Sequence, residues 1–97
     1  MSSFIGVGRQ TVTTAGTAVQ LSSASLETDE VVITAETDNT GIIVVGDSAV
    51  IAALATRKGT PLLAGETLVI AINNLDDIYI DSTVSTDGVT YQWFRKN

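Results

Sequence analysis

Short runs of apolar residues alternate along the chain with clusters of Gly, Asn and Asp, at the spacing of roughly 8–12 residues that is typical of a β-sandwich or barrel. Thr, Val and Ile make up 34 of the 97 residues, and β-branched residues of this kind favour strands. The pattern predicts strands at residues 8–14, 17–22, 30–36, 41–46, 66–73, 77–82 and 88–95. The chain is therefore predicted to be all-β, a single-domain antiparallel β-sandwich that is jelly-roll-like, with about seven to eight short strands.

Alternation with a period of two assigns residues to faces within several of these strands. In the last strand Val89, Tyr91 and Trp93 share one face. The runs 42–45 and 68–72 are apolar on both faces, so these strands are predicted to be central in the sandwich or covered by another subunit.

Two segments do not alternate. Within the long segment 47–64, residues 49–55 are predicted either to form one helical turn capped by Asp47 or Ser48, or to belong to a crossing loop held by apolar side chains. Residues 1–8, apolar at Phe4, Ile5 and Val7, are predicted to be an N-terminal arm that orders on a neighbour. Residues 9–97 are predicted to form the sandwich domain.

The sequence Gly46-Asp47-Ser48 follows an apolar strand, which is how one group of serine hydrolases presents its nucleophile. The chain has no histidine and no cysteine, and histidine is the usual base beside such a serine. Lys58 and Lys96 each lie beside an arginine, not in the apolar surroundings that make a lysine an effective base. We therefore expect a turn in which Asp47 or Ser48 caps backbone amides, and no enzymatic activity.

Acidic residues cluster at 27–30 and at 76–87. Asp77 and Asp81 alternate onto one strand face, as a pair of glycosidase carboxylates could, and Asp76 with Asp77 could supply oxygen ligands to calcium. Acids on a solvent-facing strand also keep sheet edges from pairing. We expect no catalytic residue, no cofactor and no metal site.

The net charge is −6, from eleven acids and five bases. Such a balance argues against a nucleic-acid partner and against anionic membranes. The first ten residues lack the pattern of a signal peptide, and the chain has no apolar run of the ~18 residues that span a membrane.

The aromatic and basic residues are the candidates for an interface. The side chains of Tyr79, Tyr91 and Trp93 are interpreted either as core or as an exposed platform for a sugar or a protein. The predicted interface residues are Phe4, Ile5, Arg57, Lys58, Tyr79, Trp93, Phe94 and Arg95.

Four segments carry a family resemblance: TVTTAGTAVQLSS, VVITAETDNTGIIVVGDSAV, PLLAGETLVIAINNLDDIYIDS and DGVTYQWFR. In this order and spacing they resemble small virion proteins of tailed bacteriophages, over about residues 9–95. The resemblance implies a β-sandwich that binds the outer capsid surface as a decoration or cement protein, often as a trimer. The chain departs from the group in a longer loop at 49–60 and in Asn73-Asn74, where Asp-Asn is common.

We therefore expect a non-enzymatic virion structural protein, made in the host cytoplasm and located on the capsid surface. Its expected partners are copies of itself, with a trimer favoured, and the major capsid protein, whose shell it would stabilise. The alternative is a tail-fibre or baseplate-associated module that binds host-surface carbohydrate through its aromatic residues. A solvent-facing Trp93 would favour the alternative, and a buried or capsid-facing one the capsid role.

Overall fold

The computed structural model of the chain describes residues 3–96, with side chains for 5–95. Eight strands form two antiparallel sheets of four strands each. The first sheet has the order β1 (Ser3–Thr11), β8 (Gly88–Lys96), β3 (Glu30–Ala35) and β6 (Thr67–Ala71). The second has the order β2 (Val19–Gln20), β7 (Tyr79–Ser82), β4 (Ile43–Gly46) and β5 (Thr60–Leu62).

The pairing is nested, because β1 pairs with β8, β2 with β7, β3 with β6 and β4 with β5. A long hairpin folded over itself in this way is a jelly roll, so the predicted fold class is confirmed. Between residues 3 and 96, no helix is long and apolar enough to cross a membrane.

The core lies between the two sheets and is built from the inward-facing residue of each alternating pair. The half-buried rings of Tyr91 and Trp93 pack against it, so the face predicted for Val89, Tyr91 and Trp93 is the inward one. The buried residues of this cluster are Val12, Leu21, Val31, Ile33, Ala35, Ile43, Val45, Leu62, Leu75, Ile78, Ile80 and Val89.

The interpretation of residues 1–8 as an arm outside the sandwich is wrong for residues 3–8, which belong to β1. Pairing with β8 runs unbroken from Ser3 opposite Lys96 to Thr11 opposite Gly88; residues 1 and 2 lie outside the described part. Alternation fails in the sequence because Gly6 and Gly8 stand at the inward positions. A Cβ on Gly6 would lie 2.2 Å from the indole of Trp93, and one on Gly8 2.4 Å from the ring of Tyr91. The neighbouring strand's rings fill the space that β1 leaves empty.

The segment after β4 explains why residues 42–45 are apolar on both faces. Ile43 and Val45 face the core, whereas Val44 faces the other side and packs under Val50 and Ala52. The cover is therefore this chain's own loop, and its one helical feature is a 3₁₀ turn at Leu54–Thr56 without a side-chain cap. The loop interpretation is the one observed, and it is followed by β5, a short strand that the pattern did not indicate.

We expect Gly6→Ala to lower the free energy of unfolding by about 1–3 kcal/mol, because the new methyl group overpacks the contact with Trp93. Val7→Ala, on the exposed side of the same strand, is the control and should change it by less than ~0.5 kcal/mol. Urea unfolding followed by the fluorescence of the single tryptophan measures both. Equal stabilities of the two variants would contradict the packing of Trp93 over Gly6.

Candidate interaction surface

The face of the first sheet that points away from the core is open, and we call it the outer face. Register aligns its side chains in three rows across β1, β8, β3 and β6. The three rows are Ile5, Phe94, Glu30 and Ala71; Val7, Gln92, Val32 and Val69; and Arg9, Thr90, Thr34 and Thr67.

Two of the rows are rich in apolar side chains that water reaches. Ile5 is 64% exposed, Val7 73% and Val69 54%. Single exposed apolar residues are normal on a protein surface, but several on one sheet face form a patch of the kind that marks interaction sites. The outer face is therefore the candidate interaction surface.

The third row adds hydroxyl groups and one ion pair. The hydroxyls of Thr34 and Thr67 are hydrogen-bonded across the strands at 2.9 Å. At the β1 side, Arg9 Nε donates to Glu36 Oε2 at 2.6 Å and Arg9 Nη2 donates to Glu36 Oε1 at 3.1 Å. These hydrogen bonds first, and the carboxylate charge second, raise the pKa of Arg9. Arg9 therefore stays charged but has a partner within the chain.

A shallow depression of about 560 Å³ lies between the second and third rows. Its lining combines apolar, hydroxyl, amide and guanidinium groups, which suits a rim of hydrogen bonds around an apolar contact. The residues that line it are Val7, Gly8, Arg9, Val32, Thr34, Thr90, Tyr91 and Gln92.

The two carboxylates considered as a catalytic pair differ in burial. Asp81 is 1% exposed; its Oδ1 accepts from the amides of Gly16 and Ser82 and its Oδ2 from the amide of Ala52. Asp77 lies exposed in the 3₁₀ turn Leu75–Asp77. Within the described residues, no three acidic side chains gather as a metal site would require.

The Gly46-Asp47-Ser48 stretch is a turn, as expected. Asp47 Oδ1 accepts the Ala49 amide at 2.9 Å, and the Asp47 carbonyl accepts the Val50 amide at 3.0 Å. Ser48 is exposed. Of the two side chains expected to cap this turn, Asp47 makes the hydrogen bond.

The structure distributes the predicted interface residues over several surfaces. Ile5 and Phe94 lie in the first row of the outer face, and Arg95 at the end of β8 pairs with Glu27 at 2.8 Å. The side chain of Phe4 lies outside those described. Three others lie on the opposite sheet. Tyr79 packs under the 47–59 loop, Arg57 Nε donates to the Ala52 carbonyl at 2.9 Å, and Lys58 is exposed in that loop.

Trp93 and Tyr91 face the core over the glycines of β1, so they present no exposed ring platform. Sequence reasoning missed Val32 and Val69, which occupy the centre and the β6 side of the outer face. The signal for Val69 was present, since residues 68–72 are apolar on both faces. Leu68 and Ile70 pack inward while Val69 remains exposed.

Comparison with protein-family models, with curated proteins and with solved structures finds no match to this chain.

We expect Asp81→Asn to lower the free energy of unfolding by about 1–3 kcal/mol, because its amide group replaces one buried acceptor with a donor that faces a backbone N–H. Asp77→Asn, an exposed change of the same kind in the neighbouring turn, should shift it by less than ~0.5 kcal/mol. Thermal and urea unfolding measure both variants. A loss of stability in Asp77→Asn equal to that in Asp81→Asn would contradict the assignment of Asp81 as the buried anchor.

Proposed function

We propose that this chain is a non-enzymatic virion structural protein, a decoration or cement protein that binds the outer surface of a phage capsid through its outer face. The observation that carries the proposal is the exposed apolar part of this face, which includes Ile5, Val7 and Val69. On capsid binding these side chains would leave water, and such burial drives most protein association.

The resemblance of residues 9–95 to small tailed-phage virion proteins supplies the identity of the partner, the major capsid protein. The jelly-roll fold agrees with this role but is shared by capsid proteins, lectins and cupins, so the fold alone does not select it. An open sheet face also suits the purpose, because two β-sheets pack face to face at a separation of about 10 Å.

The charge distribution supports a capsid contact of this type. The chain has a net charge of −6, but the second row of the outer face, Val7, Gln92, Val32 and Val69, has no charged side chain. Charged residues are depleted at the centre of protein interfaces and retained at the rim. Repeated contacts over the lattice would add up by multivalency, so each one can be modest in affinity.

The carbohydrate-binding alternative relied on an exposed aromatic platform. With Tyr91 and Trp93 facing the core and Tyr79 packed under a loop, the geometry favours the capsid role.

The proposed protein assembles with copies of itself, with the trimer implied by the resemblance as the expected form.

We expect Val69→Lys to weaken binding to capsids at least ~10-fold, because burial of an unpaired ammonium costs more than the 1.4 kcal/mol that a tenfold change represents. The matched control is Leu54→Lys, since Leu54 is 80% exposed on the loop over the second sheet. The measurement is co-sedimentation with capsids assembled without this protein, prepared from the phage that encodes it.

Wild type and Leu54→Lys should bind these capsids and raise the temperature at which they break, as a ligand stabilises the state that it binds. Failure of the folded wild-type protein to bind would overturn the proposed function. Equal binding by Val69→Lys would overturn the assignment of the outer face while leaving the capsid role standing.

A further inference from the structure

We propose that the free edge of β1 pairs with β1 of a second copy of this chain. The two strands run antiparallel about a two-fold axis that passes between the two Val7 residues. The pairing joins two first sheets into one sheet of eight strands, and it makes the two outer faces continuous.

The free edge of β1 carries main-chain groups that point away from β8. The Val12 amide donates to the Asp87 carbonyl at 2.9 Å and the Val12 carbonyl accepts from Thr86 at 2.8 Å, so Val12 faces the β8 side. The amide of the preceding residue, Thr11, is bonded instead to the side chain of Gln10. Because this direction alternates along an antiparallel strand, the N–H and C=O groups of Ile5, Val7 and Arg9 point outward.

This edge has few of the devices by which proteins protect edge strands. Those devices include charged residues, Lys above all, Pro, β-bulges and short strands, and the one charged residue of β1, Arg9, is paired with Glu36 of the same chain. β1 has nine residues, no Lys, no Pro and unbroken register with β8. The edges of the second sheet are protected, since β2 has two residues and β5 has three with Pro61 among them. The edge strand β6, with five residues, is also shorter than β1.

The position of Val7 in β1 and the charge of Arg9 favour one register for the pairing of the two β1 strands. Val7 is the middle residue of Ser3–Thr11, so centring the axis on it aligns the two strands over their full length and places Ile5 opposite the partner's Arg9. The Thr11 amide, already bonded to the Gln10 side chain, takes no part in the pairing. An axis centred on Arg9 would place two like charges opposite each other, which destabilises a sheet. The pairing forms about eight main-chain hydrogen bonds, within the number found at typical interfaces.

The inference is independent of capsid binding. A two-fold contact at β1 also differs from a trimer contact, because a trimer whose own interface lies elsewhere retains one free β1 edge in each subunit. In that case the edge links one trimer to the next.

Cysteine crosslinking tests the contact, since the chain contains no cysteine. Mild oxidation of Val7→Cys should give a disulfide-linked species of about 20 kDa, twice the 10.1 kDa chain, because Cα atoms of a hydrogen-bonded antiparallel pair lie ~5.5 Å apart, within disulfide range. Val69→Cys, exposed on the opposite edge strand, should remain unlinked under the same conditions.

The register has its own test. In a mixture of Ile5→Cys with a size-tagged Arg9→Cys, the mixed disulfide should exceed both homodisulfides. Homodisulfides of Ile5→Cys in excess would overturn the axis at Val7. Linking of Val69→Cys as fast as Val7→Cys would overturn the proposal, because a contact confined to the β1 edge keeps the Val69 residues of the two copies apart.

Light scattering on the unmodified chain completes the test. Val7→Lys should lower the mass in solution to that of the species without the β1 contact, a single chain or a single trimer, since it places two ammonium groups opposite each other, whereas Val69→Lys should leave the mass unchanged. An unchanged mass for Val7→Lys, with its thermal unfolding confirming that it is folded, would overturn the proposal. Capsid binding by wild type is measured separately, so failure here does not imply failure there.

Discussion

The buried carboxylate of Asp81 is the constraint on which the closed side of the second sheet depends. Its oxygens accept from the amides of Gly16, Ser82 and Ala52, and so join two loops to strand β7. The loop held at Ala52 covers Val44 and closes the outward side of the second sheet. A carboxylate with three amide donors is well satisfied in the interior. Together with the packing of Val50 and Ala52 on Val44, it holds a cover over the second sheet, whereas the outer face of the first sheet stays open.

Much of the fold could be predicted because most strands obey the alternation of inward and outward residues. The failures have local causes. In the first half of β1, Gly6 and Gly8 hold the inward positions, and glycine has neither a side chain to pack nor a preference for strands. The rings of Trp93 and Tyr91 on β8 take their place, a contact that spans almost the whole chain and leaves no local signal. In β5, three residues with a proline are too few to show a period.

The candidate surface was harder to predict than the fold, since it depends on register. Ile5 and Phe94 were singled out and face each other across β1 and β8, but Val32 and Val69 join them only through the pairing of β3 with β6. A slip of one residue in either pairing would turn the same side chains into the core. The sequence shows which residues are apolar. Which of these residues meet on one face of the sheet is decided by hydrogen bonds between strands that are distant in the chain.

Because the strand pairs are nested, the order in which the strands are synthesised determines which pairs can form first. The innermost pair, β4 with β5, closes the shortest loop and incurs the smallest entropy loss. β1 leaves the ribosome first, yet its partner β8 is made after every other strand. During translation β1 therefore has two unpaired edges, and non-local closure of this kind is slow. Each nascent chain therefore exposes this segment until β8 has been made, and unpaired strand edges of this kind make incompletely folded chains prone to associate.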